Sequence, residues 1–412
     1  MVNMGNAIIG QSGGPSAVIN SSLAGFYNSA STRGIKKIYG MRHGLEGFIS
    51  GNYVDMSDFL KNEHDIELLK RTPAAYLGSC RYKLPSFEID EEPYEKIFAL
   101  LKKLDIKFFF YIGGNDSMDS IEKLSSYAQK TGAEISFMGI PKTIDNDLAV
   151  TDHTPGFGSA AKYVSTTLKE VIRDGNVYPS KSITIVEIMG RHAGWLTASS
   201  ALTRTYDCQG PDMIILPELE FDMDNFLEKV SKMHQERKSL LIAVSEGIKS
   251  DGKFVCDVNK EQTFVDAFGH AALSGTASVL AGNISRVTGC KTRAIEFSTM
   301  QRCASHVVSG TDVQEAYLAG GRAVDFALMG QTHRMVIFRR VSSNPYEIVL
   351  ATSDISLIAN VEKKLPLNWI TDDGTFLTED FFEYCRPLIR TELLPFMVDG
   401  IPQHLVPLPK MN

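Results

Sequence analysis

Residues 139–148 read GIPKTIDNDL and place Lys142, Thr143, Asp145 and Asp147 directly after the apolar run EISFMGI. Phosphoryl transfer to an alcohol needs a carboxylate to take the hydroxyl proton, a cation to neutralise developing charge, and donors that align the groups. This segment supplies each of them. Asp145 is the candidate base, and Asp147 is a second carboxylate able to orient it or to reach Mg²⁺ through water. Thr143 offers a hydroxyl, and Lys142 a cation for a phosphate. The competing interpretation is an Asx-rich turn whose carboxylates only cap the next segment, as Asp and Asn usually do in loops. The density of chemistry in so few residues disfavours it.

The run before the motif is β-branched and aromatic like a buried strand. Its charged residues therefore belong at a strand's carboxyl end, where open α/β sheets bind ligands. Two other strands end in glycine turns. NAIIGQ runs into SGGPS, with Gly13 and Gly14, and then into the amphipathic AVINSSLAGFYNSA; IKFFFYIGGNDS ends in Gly114, Asn115 and Asp116 before MDSIEKLSSYAQKTG. Free N–H groups and the positive end of a helix dipole make each turn an anion seat, although either alone equally suits a tight strand-to-helix connection. The alternation of strands and helices predicts a parallel, doubly wound sheet. After TDHTPGFGSAAKYVSTTLKEVIRDG the rhythm restarts with SITIVEIMG, DMIILPE and SLLIAVSEG, marking a second α/β domain. RMVIFRRV and EIVLATSD flank SSNPY as a β-hairpin, and PFMVDGIPQHLVPLPKMN reads as extended chain over the surface. The predicted fold is thus α/β: two doubly wound domains with mainly parallel sheets, plus a C-terminal hairpin and extended tail.

Composition narrows the function classes. With 412 residues, 43% hydrophobic and 22% charged, the chain is long enough for two domains. A net charge of -7 argues against a general grip on nucleic acid or an anionic membrane, so neither is an expected partner. Six scattered cysteines without CxxC spacing give little support to a zinc site or a disulfide framework. The N-terminus lacks the basic and apolar regions of a signal peptide, and no apolar stretch is long enough to span a bilayer. A cytoplasmic protein is expected. The sequence contains no GxGxxG fingerprint between strand and helix, no Walker loop and no HRD and DFG pair, so the commonest phosphate-handling families fit poorly.

The segments SGG, LGSCR, GGNDS, PKTIDND, EIMGRHAGWL, AVSEG and TRAIEFSTMQR occur in this order, and their combination resembles the phosphofructokinase family from the first strand to beyond Arg302. The resemblance implies phosphorylation of fructose 6-phosphate at its 1-hydroxyl, with Mg²⁺ as cofactor. Asp145 matches the family's proton acceptor, and Thr143, Ile144 and Asp145 a substrate-contacting segment. Met189, Gly190 and Arg191 match another such segment, Glu246 a sugar-hydroxyl contact, and Arg293 and Arg302 the sugar-phosphate clamps, with Thr299, Met300 and Gln301 between them. Gly13, Gly14, Arg81 and Gly114 match the phosphoryl-donor side. The implied division is 1–157 with 303–353 as donor domain and 158–302 with 354–412 as sugar-phosphate domain, in a homodimer or homotetramer.

Asp116 and Lys142 bear on the donor. The ATP-using bacterial branch has small residues at both places, and this pair resembles the pyrophosphate-dependent branch instead. A carboxylate at 116 would occupy the room of a nucleotide's α-phosphate and repel its charge, whereas pyrophosphate stops short of it. The resemblance then implies a reversible reaction. An ATP-dependent enzyme is the first alternative, and a non-catalytic sugar-phosphate-binding subunit the second. Asn115 stands where the ATP branch has an aspartate for Mg²⁺, so its neutral carbonyl and Asp147 become the candidate metal ligands. Thr299 replaces a histidine near the sugar phosphate, and Ser182 an arginine that reaches across a subunit interface. His192 is expected to be a hydrogen-bonded loop or helix residue rather than a catalyst.

Overall fold

A computed structural model describes residues 5–259 and 275–409. Residues 1–4, 260–274 and 410–412 lie outside the described part, and with them the very end of the stretch expected to be extended. The apolar runs fold as strands β1 (Asn6–Gln11), β2 (Ile38–Met41), β3 (Tyr53–Asp55), β4 (Ile106–Gly113) and β5 (Ser136–Pro141). A second set comprises β6 (Ser182–Ile188), β7 (Met213–Ile215), β8 (Ser239–Ser245) and β9 (Lys291–Glu296). Next come β10 (Arg334–Ser343) and β11 (Tyr346–Asp354), which form the expected hairpin. Five helices concern the site: α1 (Ile19–Thr32), α2 (Asn115–Thr131), α3 (Phe157–Gly175), α4 (Gly310–Leu328) and the short α5 (Glu379–Cys385).

These strands make two sheets. The larger has seven strands in the order β11-β10-β5-β4-β1-β2-β3, and the smaller has four in the order β9-β6-β8-β7. Within them only β2 with β3 and β10 with β11 pair antiparallel, so the predicted mainly parallel α/β architecture is what the chain adopts. Alternate residues of the larger sheet enter different cores. Ile8, Phe109 and Tyr111 join Met118 and Phe137 on one face, while Ile9, Phe110 and Ile112 join Phe26 and Val324 on the other. Both faces are covered, which is why the strands read as unbroken apolar runs. The smaller sheet repeats the arrangement, with Val186 and Ile188 on the Trp195 side and Ile183 and Ile185 on the Phe226 side.

Helices α1 and α4 meet backbone to backbone over the larger sheet. A Cβ on Gly25 would lie 1.9 Å from the Tyr317 carbonyl oxygen, and one on Gly320 equally close to that of Ser22 at 1.9 Å. The tail departs from the expected extended chain. Asp399 and Gly400 both take positive φ and turn Met397–Val398 back on Ile401–Pro402, as an Asp-Gly pair between apolar residues favours. Leu405, 8% exposed, then joins the larger sheet's apolar cluster with Ile9 and Phe26.

The topology also makes a crevice. Chain order runs outward from β1 through β2 in one direction and from β4 through β5 in the other, so the loops after β1 and β4 diverge. Such a reversal leaves a ligand-sized gap at the strands' carboxyl ends.

Candidate active site

Three strand ends of the larger sheet converge on that gap. After β1, Gly13 turns with φ +75°, and a Cβ there would lie 3.3 Å from the Lys142 ammonium. After β4, extended Gly114 leads into the N-terminus of α2. After β5, Lys142 is 3% exposed and its Nζ donates to the Gly14 carbonyl at 2.7 Å. Thr143 Oγ1 then accepts from the Asp145 backbone N–H at 3.1 Å, which folds the chain so that Asp145 and Asp147 both reach the opening. The cavity they share with Gly13, Gly14, Arg81, Gly114, Asn115 and Asp116 measures about 530 Å³.

A second, smaller cavity of about 190 Å³ adjoins it, formed at the carboxyl ends of the smaller sheet's strands by Met189, Arg191 and Glu246. Arg81, Asp145, Asp147 and Glu362 line both cavities, which makes the two aspartates the boundary between them. Gly190 has φ +138°, a conformation that needs glycine, and its N–H donates to Glu246 Oε1 at 3.4 Å. Gln301, 2% exposed, accepts from the Met189 N–H at 3.3 Å and steadies the loop after β6. Arg302 approaches from beyond β9; its Nη1 would lie 3.3 Å from a Cβ on Gly14, and its charge acts on Lys142 and Asp145.

The electrostatics follow from burial of these charges together. Burial raises the Asp145 carboxyl, against the pull of Lys142, the Thr143 hydroxyl, Arg191 and Arg302. Asp147 is pushed up to about 7 by burial and then by Asp145 beside it. Glu246 rises to about 7 for the same two reasons, opposed by the Gly190 N–H and Arg191. Burial lowers Lys142 to about 8, although Asp145 and Asp147 hold it up. Carboxylates raised toward neutrality beside cations suit a proton acceptor that works near pH 7.

Not every expected residue arrives. Arg293 sits in mid-strand on β9 opposite Thr184, with its guanidinium 3.8 Å from Asp174 near the far end of α3, so it forms no clamp within this chain. The reason is register: Arg293 pairs with the middle of β6, whereas the cavity residue Met189 follows that strand's carboxyl end. Thr299 and Met300 are exposed outside both cavities. Ile144, 7% exposed, packs its side chain into the apolar cluster with Phe157, leaving only its backbone to the site. Conversely, Lys83, Asn360 and Glu362 line the larger cavity without having been anticipated. Lys83 stands two residues from Arg81 in SCRYK, and a second cation so near the first carried a usable signal. Nothing in the sequence points to Asn360 or Glu362, which come from the far C-terminal segment. His192, whose Nδ1 lies 3.5 Å from Glu362 Oε1, lines the second cavity.

A family model described as Phosphofructokinase matches residues 6–327. The chain belongs to the phosphofructokinase family. It is 40% identical to the pyrophosphate–fructose 6-phosphate 1-phosphotransferase of Xanthomonas campestris, over 97% of this chain and 96% of that one. It is 37% identical to the Halomonas elongata protein of the same description, over 97% and 95% of the two chains. The crystal structure of pyrophosphate-dependent phosphofructokinase from Nitrosospira multiformis superposes with a TM-score of 0.88 at 35% identity, covering 99% of this chain and 98% of that one. In this phosphofructokinase, therefore, motifs and architecture agree along nearly the whole chain.

Proposed function

We propose that this phosphofructokinase transfers a phosphoryl group reversibly from pyrophosphate to the 1-hydroxyl of fructose 6-phosphate, giving fructose 1,6-bisphosphate and phosphate. The observation that carries the proposal is the position of Asp145 on the boundary shared by both cavities, with the buried Lys142 ammonium on the larger side. Pyrophosphate occupies the larger cavity, held by the backbone of Gly13, Gly14 and Gly114 and by Arg81, Lys83 and Lys142. The sugar lies in the smaller one against Met189, Gly190, Arg191 and Glu246, with Arg302 toward its phosphate. Asp145 takes the 1-hydroxyl proton as the oxygen attacks, and Lys142 neutralises charge on the departing phosphate.

The residues suit Mg²⁺. Asn115 Oδ1 is buried without a hydrogen-bond partner while its Nδ2 donates to the Val361 carbonyl at 2.8 Å, and Asp147 lines the same cavity. An amide oxygen and one carboxylate fit an ion that keeps several waters and takes its other ligands from phosphates. When bound, it supplies charge neutralisation on the transferring group.

Asp116 at the start of α2 favours pyrophosphate over ATP, and the retained Asp145 and Asp147 favour a catalyst over a regulatory subunit. The larger sheet with 303–353 is read as the donor unit, and the smaller sheet with 354–412 as the sugar-phosphate unit, although Leu405 packs with the apolar cluster of the larger sheet. A homodimer or homotetramer that pairs the β9 edge would offer Arg293 to a neighbouring copy. No helix among the described residues is long and apolar enough to cross a membrane, and a cytoplasmic setting suits six cysteines without CxxC spacing. Initial rates with fructose 6-phosphate and Mg²⁺ test the donor: turnover is expected with pyrophosphate and not with ATP. Turnover with ATP alone would overturn the role given to Asp116.

A further inference from the structure

Asn146, between the two boundary aspartates, holds a left-handed conformation with φ +55° and is fully buried. It lies in the loop between β5 and α3, so no regular element fixes it. Its Oδ1 accepts from the Thr154 N–H at 3.1 Å, and Thr154 Oγ1 donates to the Thr143 carbonyl at 2.8 Å, which closes the loop on itself. Its Nδ2 has a different kind of partner. It donates at 2.7 Å to the hydroxyl of Tyr384 in α5, and that hydroxyl donates onward to the Asp152 carbonyl at 2.8 Å. One phenolic oxygen therefore ties both limbs of the loop.

A second tether comes from the same region of the chain. The Lys363 N–H donates to the Asp147 carbonyl at 2.7 Å, and its ammonium donates to the carbonyls of Thr151 and Asp152 at 3.1 and 2.7 Å. Trp195 Nε1 in turn holds the Lys363 carbonyl at 2.9 Å. The Tyr384 ring is wedged between Trp195 and Trp369, each 5.3 Å away between centroids, and Arg340 Nη1 donates to the Tyr384 carbonyl at 2.9 Å. Arg340, Lys363 and Tyr384 all lie beyond residue 327, where the match to the family model ends.

We propose that Tyr384 and Lys363 are positioning residues: through the Asn146 amide, the Asp147 backbone and the carbonyls of Thr151 and Asp152 they hold Asp145 and Asp147 in the geometry that transfer requires. The hairpin and C-terminal segment thereby serve as the platform of the catalytic loop. This inference rests on the phosphoryl-transfer function proposed above.

Two variants test it. Tyr384→Phe keeps the wedged ring and removes only the hydroxyl; Lys363→Met keeps the stem and removes the ammonium. Each is expected to lower kcat with pyrophosphate by about 10- to 100-fold while the KM for fructose 6-phosphate stays within about threefold. Hydrogen exchange in the intact protein is expected to quicken at the amides of 143–154 and to stay unchanged in β1 and β4. A kcat within about twofold of wild type, or a fall in kcat matched by general loss of protection, overturns the proposal. Should Tyr384→Phe fail to fold, Lys363→Met decides. Wild-type turnover tests the phosphoryl-transfer function by itself; if another donor is used, the ratios are taken with that donor, and if none is, the exchange pattern of the loop decides.

Discussion

At the scale of single residues, Asp145 and Lys142 are expected to set the pH behaviour. Replacing Asp145 with Asn is expected to lower kcat by about 10²- to 10⁴-fold, with fructose 6-phosphate binding retained by equilibrium dialysis. Because burial raises Asp145, the acid limb of the rate profile should lie above the ordinary carboxylate range: activity is lost as pH falls through that raised value and the base is protonated. Lys142, lowered to about 8 chiefly by burial, loses its charge as pH rises through that value, so the apparent affinity for pyrophosphate should weaken on the alkaline side. Lys142→Arg, whose guanidinium stays charged, should move that limb upward in a kcat/KM profile for pyrophosphate. Unchanged limbs in both variants would remove these groups from the chemistry. At this scale the cavity-lining residues were largely legible, since Asp145, Asp147, Lys142 and Glu246 each stand at a strand's carboxyl end within a short, chemically dense motif.

Packing between elements yields two tests at residues that line neither cavity. The α1–α4 contact leaves no room for a side chain, and the atoms in the way are backbone carbonyls. Gly320→Ala is therefore expected to cost about 1–3 kcal/mol in urea unfolding, with little change in KM. The second concerns His153, which lies between Asp152 at 2.8 Å and Glu315 of α4 at 2.7 Å; Tyr346 of β11 donates to Glu315, and Arg340 of β10 pairs with Asp152. Burial alone would lower His153, but Glu315 and Asp152 outweigh it and raise it to about 9. A folded-state value above the unfolded one, ~6.5, contributes stability that is fully present below ~6.5 and lost as pH rises through about 9. The stability difference between wild type and His153→Gln should accordingly shrink across that window, and a difference independent of pH would show that His153 is held neutral.

The candidate site lies where residues from the loops of two sheets line adjoining cavities, so ligands bound there would bridge parts that are far apart in the chain. Fructose 6-phosphate and pyrophosphate should each raise the midpoint of thermal unfolding, by the equivalent of about 2.7 kcal/mol at a hundred times Kd. Arg302→Ala should remove most of the fructose 6-phosphate shift and leave the larger part of the pyrophosphate shift. Equal loss of both would place Arg302 on the donor instead.

By itself the sequence determined the alternation of strands and helices, the hairpin around SSNPY, and the motifs at the strand ends, because each is written in local periodicity, turn chemistry and residue type. The small hairpin at Asp399 and Gly400 was equally local, and its Asp-Gly signal was there to be used. Only the tertiary structure decided which side chains meet. It left Arg293 outside the cavities of its own chain, buried Ile144 as an anchor, and brought Glu362, Lys363 and Tyr384 back onto a loop more than two hundred residues earlier. Such contacts depend on how the tail packs against both cores. That packing rests on apolar burial, which has no fixed spacing along a chain and no signature in any one segment.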